Sequence, residues 1–206
     1  MIFDFSDKIN QHGLKIIFSN AEESNNLKKA IVSMSQTHST NIEVVKNKKL
    51  VYSNVDGIFA CNKNYALQVK TADCLPIFFI HKHNNIFGVI HAGWKGLKNG
   101  IISKSTNLLK SHINDLNEIT AFIGPSISQK NYEVQNEFID YFGNRFIDKV
   151  EDKFFCNLKG VASSQLQKHG VKNVIDCNQC TYENDNYHSY RRNKTSKRMT
   201  GLIYYE

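Results

Sequence analysis

The sequence predicts a mixed α/β fold, with helices covering sheet faces in one domain spanning residues 1–206, and three observations carry that prediction. Short apolar runs rich in Ile and Phe, such as residues 75–80 and 86–90, have the length of buried strands rather than helices. Leu97, Ile101, Ser105, Leu108, Leu109 and His112 recur at helical spacing, the signature of an amphipathic helix against a sheet. Strand-like and helix-like segments follow one another with no internal repeat, low-complexity block or linker, which favours one domain over several.

Taken in order, residues 2–5 and 14–18 read as two strands around a turn at Gln11-His12-Gly13. Residues 20–26 are polar and read as a loop. Strands at 30–34 and 42–45 enclose a short polar turn that carries His38. Asp56-Gly57 marks a turn before the strand at 58–60, and residues 65–72 form a strand that delivers Asp73 and Cys74. The runs 75–80 and 86–90 read as antiparallel neighbours joined by a polar turn at 81–85, in which His81 and His83 are solvated. Cys74 then begins one strand and His91 ends the next, so both lie at one sheet edge.

A turn at 93–96 leads into the helix at 97–112, and 118–124 returns as a strand ended by Gly124-Pro125-Ser126. Helices are expected at 134–142 and 158–169, the second with Asn157 as N-cap and Gly170 just past its end. Residues 171–175 are a strand, 176–198 a long polar loop, and 201–205 the closing strand.

At 206 residues the chain is long enough to bury a proper core, and 41% hydrophobic with 22% charged residues is ordinary globular composition. No apolar run approaches the roughly 20 residues of a membrane span, and the first residues lack the basic start of a signal peptide. A soluble, cytoplasmic protein is expected, monomeric or a weak homo-oligomer, with no membrane partner. The formal charge of +7 comes mostly from Lys scattered among Asn and Ile, a pattern that does not argue for nucleic acid. Arginine is more telling: of Arg145, Arg191, Arg192 and Arg198, three fall in one short segment, a candidate anion site. The five cysteines form no closely spaced framework, so reduced thiols are expected.

His38, Cys74 and His91 each occupy a turn or strand end. Two imidazoles and a thiolate suit Zn²⁺ and leave a fourth position open for water, whose pKa such a metal lowers to about 7. The same atoms also fit a Cys74 thiolate activated by His91 as a nucleophilic dyad. Asp73 is placed to orient a ligand or substrate, or to cap a turn. Cys177-Asn-Gln-Cys180 lacks the second pair a structural zinc needs. Tyr187 to Arg192 combines aromatics with paired guanidiniums, suited to clamping a phosphate or nucleobase, and 93–96 offers backbone N–H groups to an anion.

Taken together, Gln36-Thr-His38, Thr71-Ala-Asp-Cys-Leu-Pro76, His91-Ala-Gly-Trp-Lys-Gly96, Ile123-Gly-Pro-Ser-Ile127, Cys180-Thr181 and Ser189-Tyr-Arg-Arg192 resemble the YfiH-type family. That family is also called the laccase-domain or multicopper polyphenol oxidase family and is regarded as purine nucleoside phosphorylases. The resemblance runs from about residue 30 to the C-terminus. It implies a layered α-β-β-α fold with mixed sheets and a single zinc held by His38, Cys74 and His91. It further implies phosphorolysis of adenosine, inosine, guanosine and methylthioadenosine, together with deamination of adenosine. Asp73 and Cys74 fall at catalytic positions, and Gln36, Lys95, Tyr190, Arg191 and Arg192 at substrate- or phosphate-binding ones. Two departures stand out. Residues 18–24 carry no arginine where the family has an Arg-Gly-Gly-Val-Ser-type segment, and Lys95 stands where the family has Arg. Copper-dependent phenol oxidation, suggested by the older name, fits less well, because three ligands cannot build a multicopper cluster. A Cys–His hydrolase is the other alternative.

Overall fold

The computed structural model describes residues 1–20, 27–46, 49–83 and 85–206. The expected loop at 20–26 lies, apart from Asn20, outside the described residues. The first half of the chain supplies strands β1 (Ile2–Asp4), β2 (Leu14–Ser19), β3 (Ala30–Ser35), β4 (Ile42–Val44), β5 (Val51–Ser53), β6 (Gly57–Ala60), β7 (Tyr65–Thr71), β8 (Leu75–His81) and β9 (Phe87–Ala92). Helices α1 (Trp94–Lys98) and α2 (Ile101–Lys110) follow, then β10 (Ile119–Ile123), β11 (Glu133–Val134), α3 (Phe138–Phe142), β12 (Ile147–Val150) and β13 (Lys153–Cys156). Helix α4 (Leu158–Lys168), β14 (Asn173–Asp176), α5 (Tyr190–Asn193) and β15 (Met199–Tyr205) complete the chain.

Two mixed six-stranded sheets, ordered β1-β2-β15-β7-β3-β5 and β14-β10-β8-β9-β6-β4, pack face to face. Their inner faces share one apolar cluster, in which Phe18 from the first sheet meets Phe78 from the second edge-on, with ring centroids 5.7 Å apart. The other face of the second sheet is covered by α1, α2 and α4 through a second cluster that includes Leu97, Ile101, Leu109 and Leu166. All seven residues of β8 are therefore buried, which explains why its sequence is continuously apolar instead of alternating. Each fully buried Phe or Ile contributes about 1.5–3 kcal/mol relative to exposure. Among the described residues no helix is long and apolar enough to cross a membrane.

The mixed α/β single-domain expectation is met, and the β8–β9 hairpin forms as read, with Pro76 opposite His91 and Leu75 opposite Ala92. The Asn157 N-cap is also as expected: its side chain accepts the Gly160 N–H at 2.8 Å. Several elements differ. The helix expected at 97–112 is two helices, because Gly100 adopts φ +87 and breaks the run. The helix expected at 134–142 shrinks to α3, and its first residue, Val134, belongs instead to β11 in a small sheet ordered β11-β13-β12. His81 is buried at the end of β8, with Nε2 3.1 Å from Glu118 Oε2, rather than solvated in the turn. The long polar segment 176–198 is largely pinned down: Tyr187 is buried against Phe3, and Thr181 and Ser189 are fully buried.

Candidate metal centre and substrate cavity

The three sequence-selected ligands meet. The ligand atoms of His38, Cys74 and His91 all lie within 4.8 Å of one another, with Cys74 Sγ 3.8 Å from His38 Nε2. Ligands of a tetrahedral zinc with bonds of about 2.0–2.3 Å stand about 3.3–3.8 Å apart, so the spacing fits such an ion with little movement. Among the described residues this is the one such group of three or more. Gly93, just after β9, is required by it. A Cβ there would lie 3.0 Å from both Cys74 Sγ and His38 Cδ2, inside normal contact.

What holds the cluster together was not legible in the sequence. Asp56, at the mouth of β6, is completely buried. Its Oδ1 accepts the His38 N–H at 3.1 Å and hydrogen-bonds His91 Nδ1 at 2.8 Å. Its Oδ2 accepts the N–H groups of Thr37 at 3.1 Å and Ser39 at 2.7 Å, and the Ser39 hydroxyl at 2.7 Å. One carboxylate thus folds the turn that carries His38 and orients the ring of His91. With Nδ1–H given to Asp56, Nε2 is the nitrogen left for a metal. His38 itself sits at φ +59 and Asp73 at φ +88, left-handed conformations that non-glycine residues adopt at some cost. The Asp-Gly pair at 56–57 reads as a turn signal, and nothing in the sequence marks the carboxylate as a hub.

Electrostatics follow from this arrangement. Burial alone would raise the Asp56 carboxyl, but hydrogen bonds from His91, Ser39 and Thr37 outweigh it and bring the pKa to about 2. Burial would likewise raise the Cys74 thiol, but the charge of His91 and hydrogen bonds from both histidines lower it to about 6. His91 moves the other way, to about 9, because the Cys74 charge and the Asp56 hydrogen bond overcome its burial. Cys74 and His91 are thus a thiolate–imidazolium pair in the metal-free protein, and the thiolate is the form that binds metal.

The cluster lies in a cavity of about 540 Å³ whose walls include Trp94, Tyr132, Tyr190, Arg191, Arg198 and Lys70. Gln36 and Asp73 line it too, but their polar groups are already engaged. The Gln36 amide bridges both backbone groups of Lys70 at 2.8 Å. Asp73 accepts the Thr181 hydroxyl at 2.6 Å and the Arg191 N–H at 2.7 Å, which ties the arginine segment to the metal-cluster strand. Tyr190 and Arg191 line the cavity from α5. Arg191 gives Nη1 to the Glu133 carbonyl, and Arg198, the third arginine of the candidate anion segment, gives Nη1 to the carbonyls of Thr195 and Lys197.

Two expected binding residues are not brought to this cavity. Lys95 is exposed on α1, its ammonium 5.6 Å from the centroid of the Trp94 ring. The Arg192 guanidinium turns into its own loop and donates to the carbonyls of Thr181, Tyr182 and Tyr187 at 2.7–2.9 Å. Those bonds, on the residue next to Arg191 in α5, commit Arg192 to holding its own loop. Cys177 belongs to the inter-sheet core, while Cys180 Sγ accepts the Ser128 N–H, and among the described residues neither cysteine joins a group of three or more candidate metal ligands.

A two-sheet α/β domain with a His/Cys/His cluster beside a cationic cavity defines the class of protein. The chain belongs to the family described as multi-copper polyphenol oxidoreductase laccase, whose model matches residues 16–206. It is 34% identical over 176 residues to a purine nucleoside phosphorylase of Campylobacter jejuni, covering 84% of this chain and 76% of that protein. It is 38% identical over 144 residues to a purine nucleoside phosphorylase of Aquifex aeolicus, covering 70% and 68% respectively. A crystal structure of a Neisseria meningitidis protein shares the fold, with a TM-score of 0.81 over 94% of this chain and 95% of that one at 22% identity. The family resemblance read from the motifs is therefore borne out.

Proposed function

We propose that this protein is a zinc-dependent purine nucleoside phosphorylase, converting adenosine, inosine, guanosine or methylthioadenosine plus phosphate to the free base and ribose-1-phosphate. The observation that carries this reading is the meeting, in one cavity, of the His38/Cys74/His91 cluster with guanidiniums that keep unspent donors. Relatives named purine nucleoside phosphorylase support the same reaction class.

In this reading His38, Cys74 and His91 would hold the ion, which would supply Lewis acidity when bound. Cys74 is a ligand rather than a nucleophile. Arg191 and Arg198 bind phosphate through the guanidinium nitrogens not given to carbonyls, and they neutralise its charge as its oxygen approaches C1′. The glycosidic bond breaks with its electron pair leaving on the purine. Asp73 is a positioning residue: it fixes the backbone of Arg191. Trp94 and Tyr132 supply the aromatic surface a purine ring needs. Deamination of adenosine to inosine is proposed as a second activity of the same cavity.

Copper is the second reading. The family description favours it, and two imidazoles with a thiolate also suit copper. One experiment separates the readings: metal analysis of the purified protein, with product analysis of adenosine plus phosphate for adenine, ribose-1-phosphate and inosine. Absence of all three products from metal-loaded protein would refute the enzyme assignment. Copper in the protein, with oxygen uptake on a phenol, would favour the alternative.

A further inference from the structure

The small sheet that the sequence did not reveal has a consequence for the cavity, because it carries Tyr132 to the cavity wall just before β11. The backbone of Tyr132 is pinned on both sides: its N–H donates to the Gln129 carbonyl at 3.0 Å and its carbonyl accepts the Cys156 N–H at 3.1 Å. Its ring is fixed as well, with Phe138 edge-on at 6.1 Å and the Arg191 guanidinium carbon 5.0 Å from the centroid. Tyr132 lines the main cavity and also an adjoining hollow of about 420 Å³, which shares Trp94 and Arg191 with it and adds Val134, Gln135 and Phe138.

The phenol hydroxyl has no hydrogen-bond partner among the described residues, and it is not one of the fully buried unpartnered polar atoms. Burial raises the phenol above its ordinary value and the nearby Cys74 charge raises it further, so it stays a neutral donor at working pH. Two neighbouring polar groups of this wall are committed, Asp73 to Thr181 and Arg191 and Gln36 to Lys70, while the buried Thr71 hydroxyl lines the same cavity with no partner among the described residues. A rigid neutral donor set in an aromatic wall suits ring nitrogens of a planar heterocycle better than a phosphate dianion, which the guanidiniums serve.

We propose that Tyr132 donates a hydrogen bond to the purine ring of the nucleoside and so determines recognition of the base. The identity of that ligand rests on the phosphorylase reading. Tyr132→Phe removes the hydroxyl while keeping the ring contacts, and its melting temperature should match that of the parent. With the zinc-loaded full chain, kcat/KM for inosine should fall about tenfold and hypoxanthine affinity about fivefold, the loss of one hydrogen bond to a ligand. The KM for phosphate should stay unchanged. An unchanged kcat/KM for inosine, or a loss confined to the KM for phosphate, would overturn the inference. If the parent protein binds hypoxanthine by calorimetry without phosphorolysing inosine, the phosphorylase reading fails and Tyr132 is judged on binding alone. Weaker hypoxanthine binding by Tyr132→Phe then supports its role, and equal binding overturns it. Failure of the parent protein to bind hypoxanthine also overturns it.

Discussion

Asp56→Asn tests how the cluster is built. The carboxylate accepts from the N–H groups of Thr37, His38 and Ser39, from the Ser39 hydroxyl and from His91 Nδ1. An asparagine keeps one acceptor oxygen. If that oxygen takes the place of Oδ1, the bonds from Thr37 and Ser39 are lost and an amide N–H faces their donors. If it takes the place of Oδ2, the bonds from His38 and His91 are lost instead. Either way at least two charge-assisted bonds disappear at a fully buried site. At about 1.5–3 kcal/mol each, the substitution should destabilise the protein by about 3–6 kcal/mol. Because His91 loses its orienting partner and the turn bearing His38 loosens, zinc affinity should fall by about 10–100-fold. Urea denaturation measures the first effect and competition with a chromogenic chelator the second. A variant within about 1 kcal/mol of the parent, with unchanged zinc affinity, would refute the view of Asp56 as the hub of the site.

Three further outcomes follow from the same geometry. In metal-stripped protein, Cys74 alkylation by iodoacetamide should rise with pH around a midpoint of about 6, because the thiolate is lost below that value. Cys156 and Cys177, pushed up to about 12 and about 11 by burial, should not react at neutral pH, and zinc should protect Cys74, all of which peptide mapping reads directly. Gly93→Ala should lower zinc content after desalting, since its Cβ would press on Cys74 and His38, and full zinc retention would contradict the proposed crowding. Arg198→Ala should raise the KM for phosphate about tenfold with a stability change within about 0.5 kcal/mol, while Lys95→Ala leaves that KM unchanged. The reverse pattern in steady-state kinetics would put the phosphate at the helix α1 end instead.

Some of this molecule is written locally in its sequence and some is not. The β8–β9 hairpin was legible because two apolar runs with a polar turn have one sensible pairing, which brings Cys74 and His91 to one edge. The third member of the cluster, His38, was legible as a residue in a tight turn between strands. Asp56 was not, because its partners come from a turn 17–19 residues earlier and a strand end 35 residues later, and an Asp-Gly pair has an ordinary local explanation. The β11-β13-β12 sheet was hidden because residues 134–142 satisfy helical spacing even though β13 captures the first of them. Arg191 and Arg192 looked equivalent until a short helix turned one to the cavity and the other to four loop carbonyls, those of Thr181, Tyr182, Asn184 and Tyr187.

The central claim is that His38, Cys74 and His91 hold a zinc ion on which phosphorolysis depends. The most direct measurement follows inosine and phosphate to hypoxanthine in the protein as purified, after stripping with a chelator, and after reloading with zinc, with metal content determined at each stage. The account predicts a single zinc ion per chain, activity lost on stripping and restored on reloading, and neither zinc nor activity in His91→Ala. Full turnover by the stripped protein, or undiminished zinc in His91→Ala, would contradict it.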